Sequence, residues 1–248
     1  MTESPPAPAA YDTIGVNYAD LRRPDPRIAA LIERALGSAK TVLNVGAGTG
    51  SYEPTARQVT ALEPSAAMIA QRPAGAAPAI QGQAEALPFP DDHFDAAMAV
   101  LTVHHWTDQP QGLCELRRVA RGPVVVLTFD PQARPWLTDY LPDLAALDEA
   151  QMPALDAYAR HLGPVDITPV PVPRDCTDGF LYAYWARPHA YLDPRIRTGS
   201  SSFWKLPSAQ AGLARLERDL SSGAWTERLG QLLRQPELDV GYRLVVTR

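Results

Sequence analysis

The sequence predicts an α/β fold on an open, doubly wound, mostly parallel sheet. Short apolar runs alternate with segments of helical periodicity over the first 130 residues, the pattern of successive βαβ units. The run Phe94 to Val103 is apolar on both faces, as a central parallel strand buried from both sides should be. The run ending at Val45 passes directly into Gly46-Ala47-Gly48-Thr49-Gly50, a turn nearly free of side chains at the carboxyl end of a strand, where a ligand can approach the backbone.

The elements follow in order. A helix is expected from Tyr11 to Leu21. A second starts at Asp25-Pro26, with Asp25 as N-cap and Pro26 in the first helical position. It carries Ile28, Leu31, Ile32, Ala35 and Leu36 at helical spacing and ends at Gly37. Strands are predicted over Thr41–Val45, Gln58–Leu62, Ala79–Gln81, Phe94–Val103 and Pro123–Phe129, with helices over Pro64–Arg72 and Gln111–Ala120. Farther on, Leu141–Leu162 reads as helical with a break at Pro153, and Val165–Val172 as a strand that Pro169 and Pro171 confine to an edge or bulge. Phe180–Ala186 and Ala209–Leu233 read as helices and Tyr242–Thr247 as a closing strand. Residues 1–10, with three prolines and one charged side chain, read as a disordered tail. Residues 11–248 read as one domain, with a core over 38–130, 160–172 and 238–248 and cap or insertion segments over 131–160 and 173–237.

The chain has 248 residues, 46% hydrophobic and 21% charged, the balance of a globular protein with a full core. A net charge of −5 without a basic block argues against nucleic acid as a partner. No apolar run reaches the roughly 20 residues that span a bilayer, so no membrane association is expected. The N-terminus has neither the basic nor the apolar region of a secretory signal. Cys114 and Cys176 have no metal-like spacing and read as two reduced thiols in a cytoplasmic protein, and no metal site is expected.

Two nucleoside ligands compete for the glycine turn. Dinucleotide enzymes use G-x-G-x-x-G, in which the third glycine permits close helix–strand packing. Here the pattern is G-x-G-x-G and Ser51 stands where that third glycine belongs, which disfavours a nicotinamide-dependent oxidoreductase. A tight strand–helix turn without a ligand is the bland alternative. Glu63, at the end of the next strand, is placed to hold a ribose diol or, alternatively, to cap the helix after Pro64.

Four motifs in register resemble the class I S-adenosylmethionine-dependent methyltransferases, specifically the type 11 methyltransferase-domain group. They are Val42 to Gly50; Leu62-Glu63-Pro64-Ser65 with Met68; Gly82 to Phe89 followed by Asp91-Asp92-His93-Phe94-Asp95; and the strand ending at His104-His105-Trp106. The resemblance covers about Tyr11 to Asp130. It implies a Rossmann-like seven-stranded sheet, mostly parallel with an antiparallel last strand, and S-adenosyl-L-methionine as cofactor. It places Asn44, Gly46, Ala47, Gly48 and Gly50 under the methionine part and Glu63, with Pro64 and Met68, at the ribose. Gln83, Ala84 and Glu85 border the adenine, and the backbone after Leu101 approaches the sulfonium. By the same resemblance, Tyr18 and Arg22 are expected to close over the cofactor, Arg22 near its carboxylate. Two positions depart from the family pattern, since Asn44 and Gln83 stand where acids are usual. The departure at Asn44 keeps open a non-catalytic cofactor-binding protein.

The resemblance implies methyl transfer, an in-line displacement that depends mainly on alignment. A base is needed only when the acceptor must lose a proton. His105, and after it His104, are the candidates for that role; the alternative is a structural pair. A small-molecule acceptor is expected, with Trp106 and, from an aromatic-rich second half, Trp136, Tyr182 and Trp185 as candidate lining residues. Ordinary core packing is the alternative for each. Asp175 to Gly179 reads as turn chemistry, with a polar site as the alternative.

Overall fold

The computed structural model describes residues 21–206 and 209–248. The expected tail, most of the helix from Tyr11 and Tyr18 lie outside the described residues. Helix α1 (Pro26–Ala35) starts as its sequence dictates: the Asp25 side chain accepts from the Arg27 N–H, and Pro26 occupies the first turn, where its missing N–H costs nothing. Gly37, at φ +58°, turns the chain out of the helix toward the sheet.

Seven strands form one sheet in the order β3-β2-β1-β4-β5-β9-β6. They are β1 (Thr41–Val45), β2 (Gln58–Glu63), β3 (Ala79–Gln81), β4 (Ala96–Val100), β5 (Val124–Phe129), β6 (Val165–Pro169) and β9 (Tyr242–Thr247). β1 to β5 pair in parallel, and β9 runs antiparallel between β5 and β6. The chain winds outward from β1 to β3, then returns to place β4 on the other side of β1. The crevice beyond the carboxyl ends of β1 and β4 is therefore the topological switch point, where open α/β sheets bind ligands.

Both faces of the sheet are covered, and the period of two along each strand divides the core. Val42, Met98, Val125, Leu127 and Phe129 face one layer; Leu43, Val45, Ala97, Ala99, Val124 and Val126 face the other. Helix α3 (Gln109–Val119; α2 is Ala66–Ala70) covers the second face through Leu113, Leu116 and Val119. Each such side chain contributes about 1.5–3 kcal/mol on burial. The first face carries α1 and the aromatic packing of the later segments.

Several predicted elements come out differently. The strand expected over Phe94–Val103 is limited to Ala96–Val100, because Leu101 adopts φ +51° and Val103 enters a 3-10 turn, Val103–His105. The helix expected over Pro64–Arg72 is only α2. Val165–Val172 divides into β6, at the sheet edge, and β7 (Val172–Pro173), which pairs with β8 (Glu237–Leu238). Proline 171 between them has no N–H to continue a ladder. Leu141–Leu162 forms α5 (Asp143–Gln151) and α6 (Leu155–Leu162), preceded by α4 (Leu137–Tyr140). Phe180–Ala186 is a run of turns, not a helix. Its Phe180, Tyr182, Ala183 and Trp185 are all buried, a distribution that one face of a short helix does not allow. After α7 (Pro194–Arg197) and α8 (Ser201–Trp204), the helix expected over Ala209–Leu233 breaks at Gly223, φ +86°, into α9 (Ala209–Ser222) and α10 (Ala224–Leu229), followed by a 3-10 turn.

Candidate active site

A cavity of about 830 Å³ opens at the switch point. Its floor is the glycine turn. Leaving β1, the Gly46 and Ala47 N–H groups both donate to the Leu62 carbonyl, at 2.8 and 3.1 Å, so the turn stays tied to β2 as it curls. Gly46 has φ +69°, and a Cβ on it would lie 2.0 Å from Thr102 Oγ1. Both facts exclude any other residue there. Gly48, at φ +52°, also lines the cavity. Gly50 does not, contrary to expectation: a Cβ there would face Glu53 Oε2 at 3.2 Å and the Arg72 guanidinium at 3.4 Å, behind the turn.

Glu63 closes β2 and is 6% exposed. Its Oε2 accepts from the Gly48 N–H at 2.8 Å and its Oε1 from the Ser65 N–H at 3.0 Å. The carboxylate thus clamps the glycine turn to the start of α2 while forming part of the cavity wall. The helix cap is Ser65, whose Oγ accepts from the Met68 N–H, so the capping alternative for Glu63 fails. Pro64 and Met68 line the same wall.

Asn44 also lines the cavity, and the acid missing from that position is found nearby. Asn44 Nδ2 donates to Glu53 Oε1 at 3.1 Å, and both oxygens of Glu53 accept from Arg72 Nη2 at 2.7 Å. Arg72 Nη1 donates in turn to the Gly48 carbonyl. This buried ion pair stiffens the turn from beneath. Sequence reasoning missed Glu53 and Arg72, although the absent charge at Asn44 was itself a prompt to look for a displaced one.

Gln83, Ala84 and Glu85 border the cavity after β3. The Glu85 carboxylate is directed to the Thr107 and Asp108 N–H groups at 2.7 and 3.0 Å, ahead of α3. Leu101 sits opposite the glycine turn with φ +51°, an unfavourable backbone state for leucine that accumulates at functional sites. Trp106 lines the cavity and lies against Gly112 of α3.

His104 and His105 follow on the 3-10 turn with ring centroids 3.9 Å apart. They belong to the large cavity and to a smaller one of about 50 Å³ beside it. Burial, with the charges of Lys205 and Arg22, holds His105 down to about 4; burial and the neighbouring His105 hold His104 well below its ordinary value. Both rings are neutral at pH 7.

Arg22 lines both cavities, and its Nε donates to Asp178 Oδ1 at 2.6 Å. Asp178 is fully buried and also accepts from the Tyr52 hydroxyl at 2.9 Å. The stretch expected to be a plain turn therefore holds the anchor for Arg22. Lys205, unforeseen from sequence, reaches the cavity after α8, and its Nζ donates to Gln151 Oε1.

Tyr182 lines only the smaller cavity, where its hydroxyl donates to Asp148 Oδ2 at 2.6 Å. Trp136 and Trp185 line neither. Their indole N–H groups donate to the Trp185 and Val172 carbonyls, both at 2.9 Å, and Trp136 packs edge-on against Tyr191 and Trp225. They are core residues.

Comparison with known proteins bears on this geometry. Residues 43–126 match the family model of the type 11 methyltransferase domain. A methyltransferase structure from Anabaena variabilis, described as from an antibiotic biosynthesis pathway, is 33% identical with a TM-score of 0.84; the match covers 92% of this chain and 99% of that one. The chain belongs to the class I S-adenosylmethionine-dependent methyltransferases. S-Adenosylmethionine is the cofactor of this family, which leaves the nicotinamide alternative without support. Among curated methyltransferase relatives, the demethylmenaquinone methyltransferase of Deinococcus radiodurans is 34% identical over 121 residues, 43% of this chain and 50% of that protein. The ubiquinone/menaquinone biosynthesis C-methyltransferase of Hahella chejuensis is 41% identical over 58 residues, 23% of each. The chain thus spans half or less of the length of these curated methyltransferases. Geranyl diphosphate C-methyltransferase of Streptomyces coelicolor, solved with S-adenosylhomocysteine, shares the fold at a TM-score of 0.52 and 15% identity, covering 89% of this chain and 76% of that one.

Proposed function

We propose that this chain transfers a methyl group from S-adenosylmethionine to a small-molecule acceptor. The observation that carries the reading is the Glu63 carboxylate, buried in the cavity wall beside the bare Gly46–Gly48 backbone. A cavity of about 830 Å³ lies in the range for ligands of this size. The Glu63 oxygens take the Gly48 and Ser65 N–H groups, which fixes the carboxylate in the wall where the ribose would lie. Gly46, Ala47 and Gly48 bring main chain against the amino-acid portion without side chains in the way, with Asn44 beneath. Gln83, Ala84 and Glu85 flank the base, with Glu85 Oε1 held by the Thr107 and Asp108 N–H groups. Pro64 and Met68 close the ribose side, and Leu101 presents main chain across the cleft. Arg22, oriented by Asp178, supports a carboxylate from the rim.

When bound, the cofactor supplies an electrophilic methyl group on a sulfonium. The protein's task is then alignment of the acceptor and exclusion of water. His105, neutral at pH 7 and held down to about 4 by burial, stands at the acceptor end of the cavity as a weak base. Acceptors that need no strong base suit this site, and Trp106 supplies a flat apolar wall beside it.

Isothermal titration with S-adenosylhomocysteine and with NAD tests the reading. S-Adenosylhomocysteine should bind and NAD should not. Glu63→Ala removes two charge-assisted hydrogen bonds and should weaken binding at least about 100-fold. Unchanged affinity in that variant would refute the assignment.

A further inference from the structure

The smaller cavity contains a carboxylate that the cofactor site does not use. Asp148 lies on α5, four residues after the buried Leu144, so its side chain shares the helix face turned to the interior. It is 2% exposed and lines the cavity of about 50 Å³. Oδ2 accepts from the Tyr182 hydroxyl at 2.6 Å, and Oδ1 has no hydrogen-bond partner among the described residues. No lysine, arginine or histidine among them forms an ion pair with it; Arg134, which acts on it at longer range, pairs with Glu149. A buried carboxylate with one neutral donor is an expensive group to retain, and both a free lone pair and an uncompensated charge face the cavity.

The cavity adjoins the large one at the histidine pair. It shares Arg22, Leu101, His104 and His105 with the large cavity, so a molecule anchored at Asp148 extends its other end toward the histidine pair. The shared cation, Arg22, is committed to Asp178 and does not neutralise Asp148. The two histidines are uncharged at pH 7.

Resting on the methyltransferase reading above, we propose that Asp148, oriented by Tyr182, is the polar anchor of the acceptor site and takes a protonated amine of the acceptor. The ammonium fills the free lone pair and supplies the missing charge, which a neutral hydroxyl does only in part. The anchored amine is not the methylated atom; that atom lies at the far end of the acceptor, beside His104 and His105. Asp148 is thus a specificity-determining residue. Acceptors with a carboxylate or phosphate at that end are excluded by like-charge repulsion.

The test uses the full chain saturated with S-adenosylhomocysteine and three probes of one shape: benzylamine, benzyl alcohol and benzoate. Affinities are measured by titration at pH 7.5. Benzylamine should bind at least about tenfold more tightly than benzyl alcohol, and benzoate more weakly than either. Asp148→Asn keeps an acceptor for the Tyr182 hydroxyl but removes the charge. It should abolish the preference for the amine while leaving affinity for S-adenosylhomocysteine within about twofold. Tyr182→Phe retains the carboxylate and should keep the preference. Equal or stronger binding of the alcohol or benzoate to the unaltered protein overturns the proposal, and that comparison decides alone if Asp148→Asn fails to fold. Persistence of the preference in a folded Asp148→Asn also overturns it. Failure of S-adenosylhomocysteine to bind the unaltered protein removes the methyltransferase reading and the anchor together. Binding of S-adenosylhomocysteine without amine preference removes the anchor alone.

Discussion

The two ends of the cleft are built from different materials. The end at β1 and β2 is mostly main chain: a glycine turn held by backbone hydrogen bonds, clamped by Glu63 above and by the Glu53–Arg72 pair below. The end at β4 and β5 is mostly side chain: two histidines, the Asp148–Tyr182 pair, and residues brought in by turns and by α8. Backbone geometry at a strand end serves any ligand with a given shape and tolerates little variation. Side chains on inserted segments can change without disturbing the sheet. The contrast fits a protein that holds one common cofactor at one end and a particular acceptor at the other.

The largest effect that tests this contrast should come from the main-chain end. Gly46→Ala places a methyl group 2.0 Å from Thr102 Oγ1 in a left-handed backbone state. Strain and overpacking together should cost about 2–5 kcal/mol in urea denaturation and abolish binding of S-adenosylhomocysteine. Gly75→Ala, at φ +86° with nothing within 4 Å, should cost only the backbone part, about 1–2 kcal/mol, and leave binding intact. Equal losses in the two variants would show that close packing at Gly46 is not the cause.

A smaller effect tests whether the aromatic core behind the acceptor end is independent of the cofactor end. Trp185→Phe loses ring volume and the hydrogen bond to the Val172 carbonyl, and should cost about 2–3 kcal/mol. Trp225→Phe removes an indole N–H that is buried without a partner among the described residues, so it should cost about 1 kcal/mol less. Neither should change affinity for S-adenosylhomocysteine by more than about twofold. A larger change would mean that the two ends are coupled through the core.

The smallest effect concerns pH and has opposite signs at neighbouring groups. Unfolded chains protonate histidine near 6.5, whereas folded His105 does so near 4; stability from this group is therefore lost as pH falls between those values. Burial pushes Asp148 up to about 6, against the hydrogen bond from Tyr182 and the charge of Arg134, so its destabilising charge is relieved as pH falls from 7 to 5. Between pH 7 and pH 5, His105→Asn should lose less stability than the unaltered protein, and Asp148→Asn should lose more. Each difference should be on the order of 1–2 kcal/mol in urea midpoints. A His105→Asn variant that parallels the unaltered protein would show that His105 is not shielded from protons.

Legibility follows the same division. β1, β3 and β9 have the bounds that local patterning predicts; for β1 the cause is an apolar run that passes directly into the glycine turn. Glu63 is where motif order puts it. Gly50 faces away from the cavity, and Trp136 and Trp185 belong to the core, because aromatic content says nothing about which way a ring points. Asp148 stood four residues after Leu144 on a helix whose apolar pattern it interrupts, a visible signal in a chain with many exposed acids. Arg22 and Asp178 are 156 positions apart, and no local pattern joins them.

From the sequence alone came the doubly wound sheet, its covered faces and the bare turn at the end of β1, because hydrophobic period and glycine position act over a few residues and the backbone obeys them locally. The tertiary structure decided which side chains meet in the cleft: the replacement of the absent acid by Glu53, the pairing of Arg22 with Asp178, and the enclosure of Asp148 with Tyr182. Those contacts depend on long-range packing of segments whose own conformations are weakly encoded. Short helices and turns gain most of their stability from what they pack against.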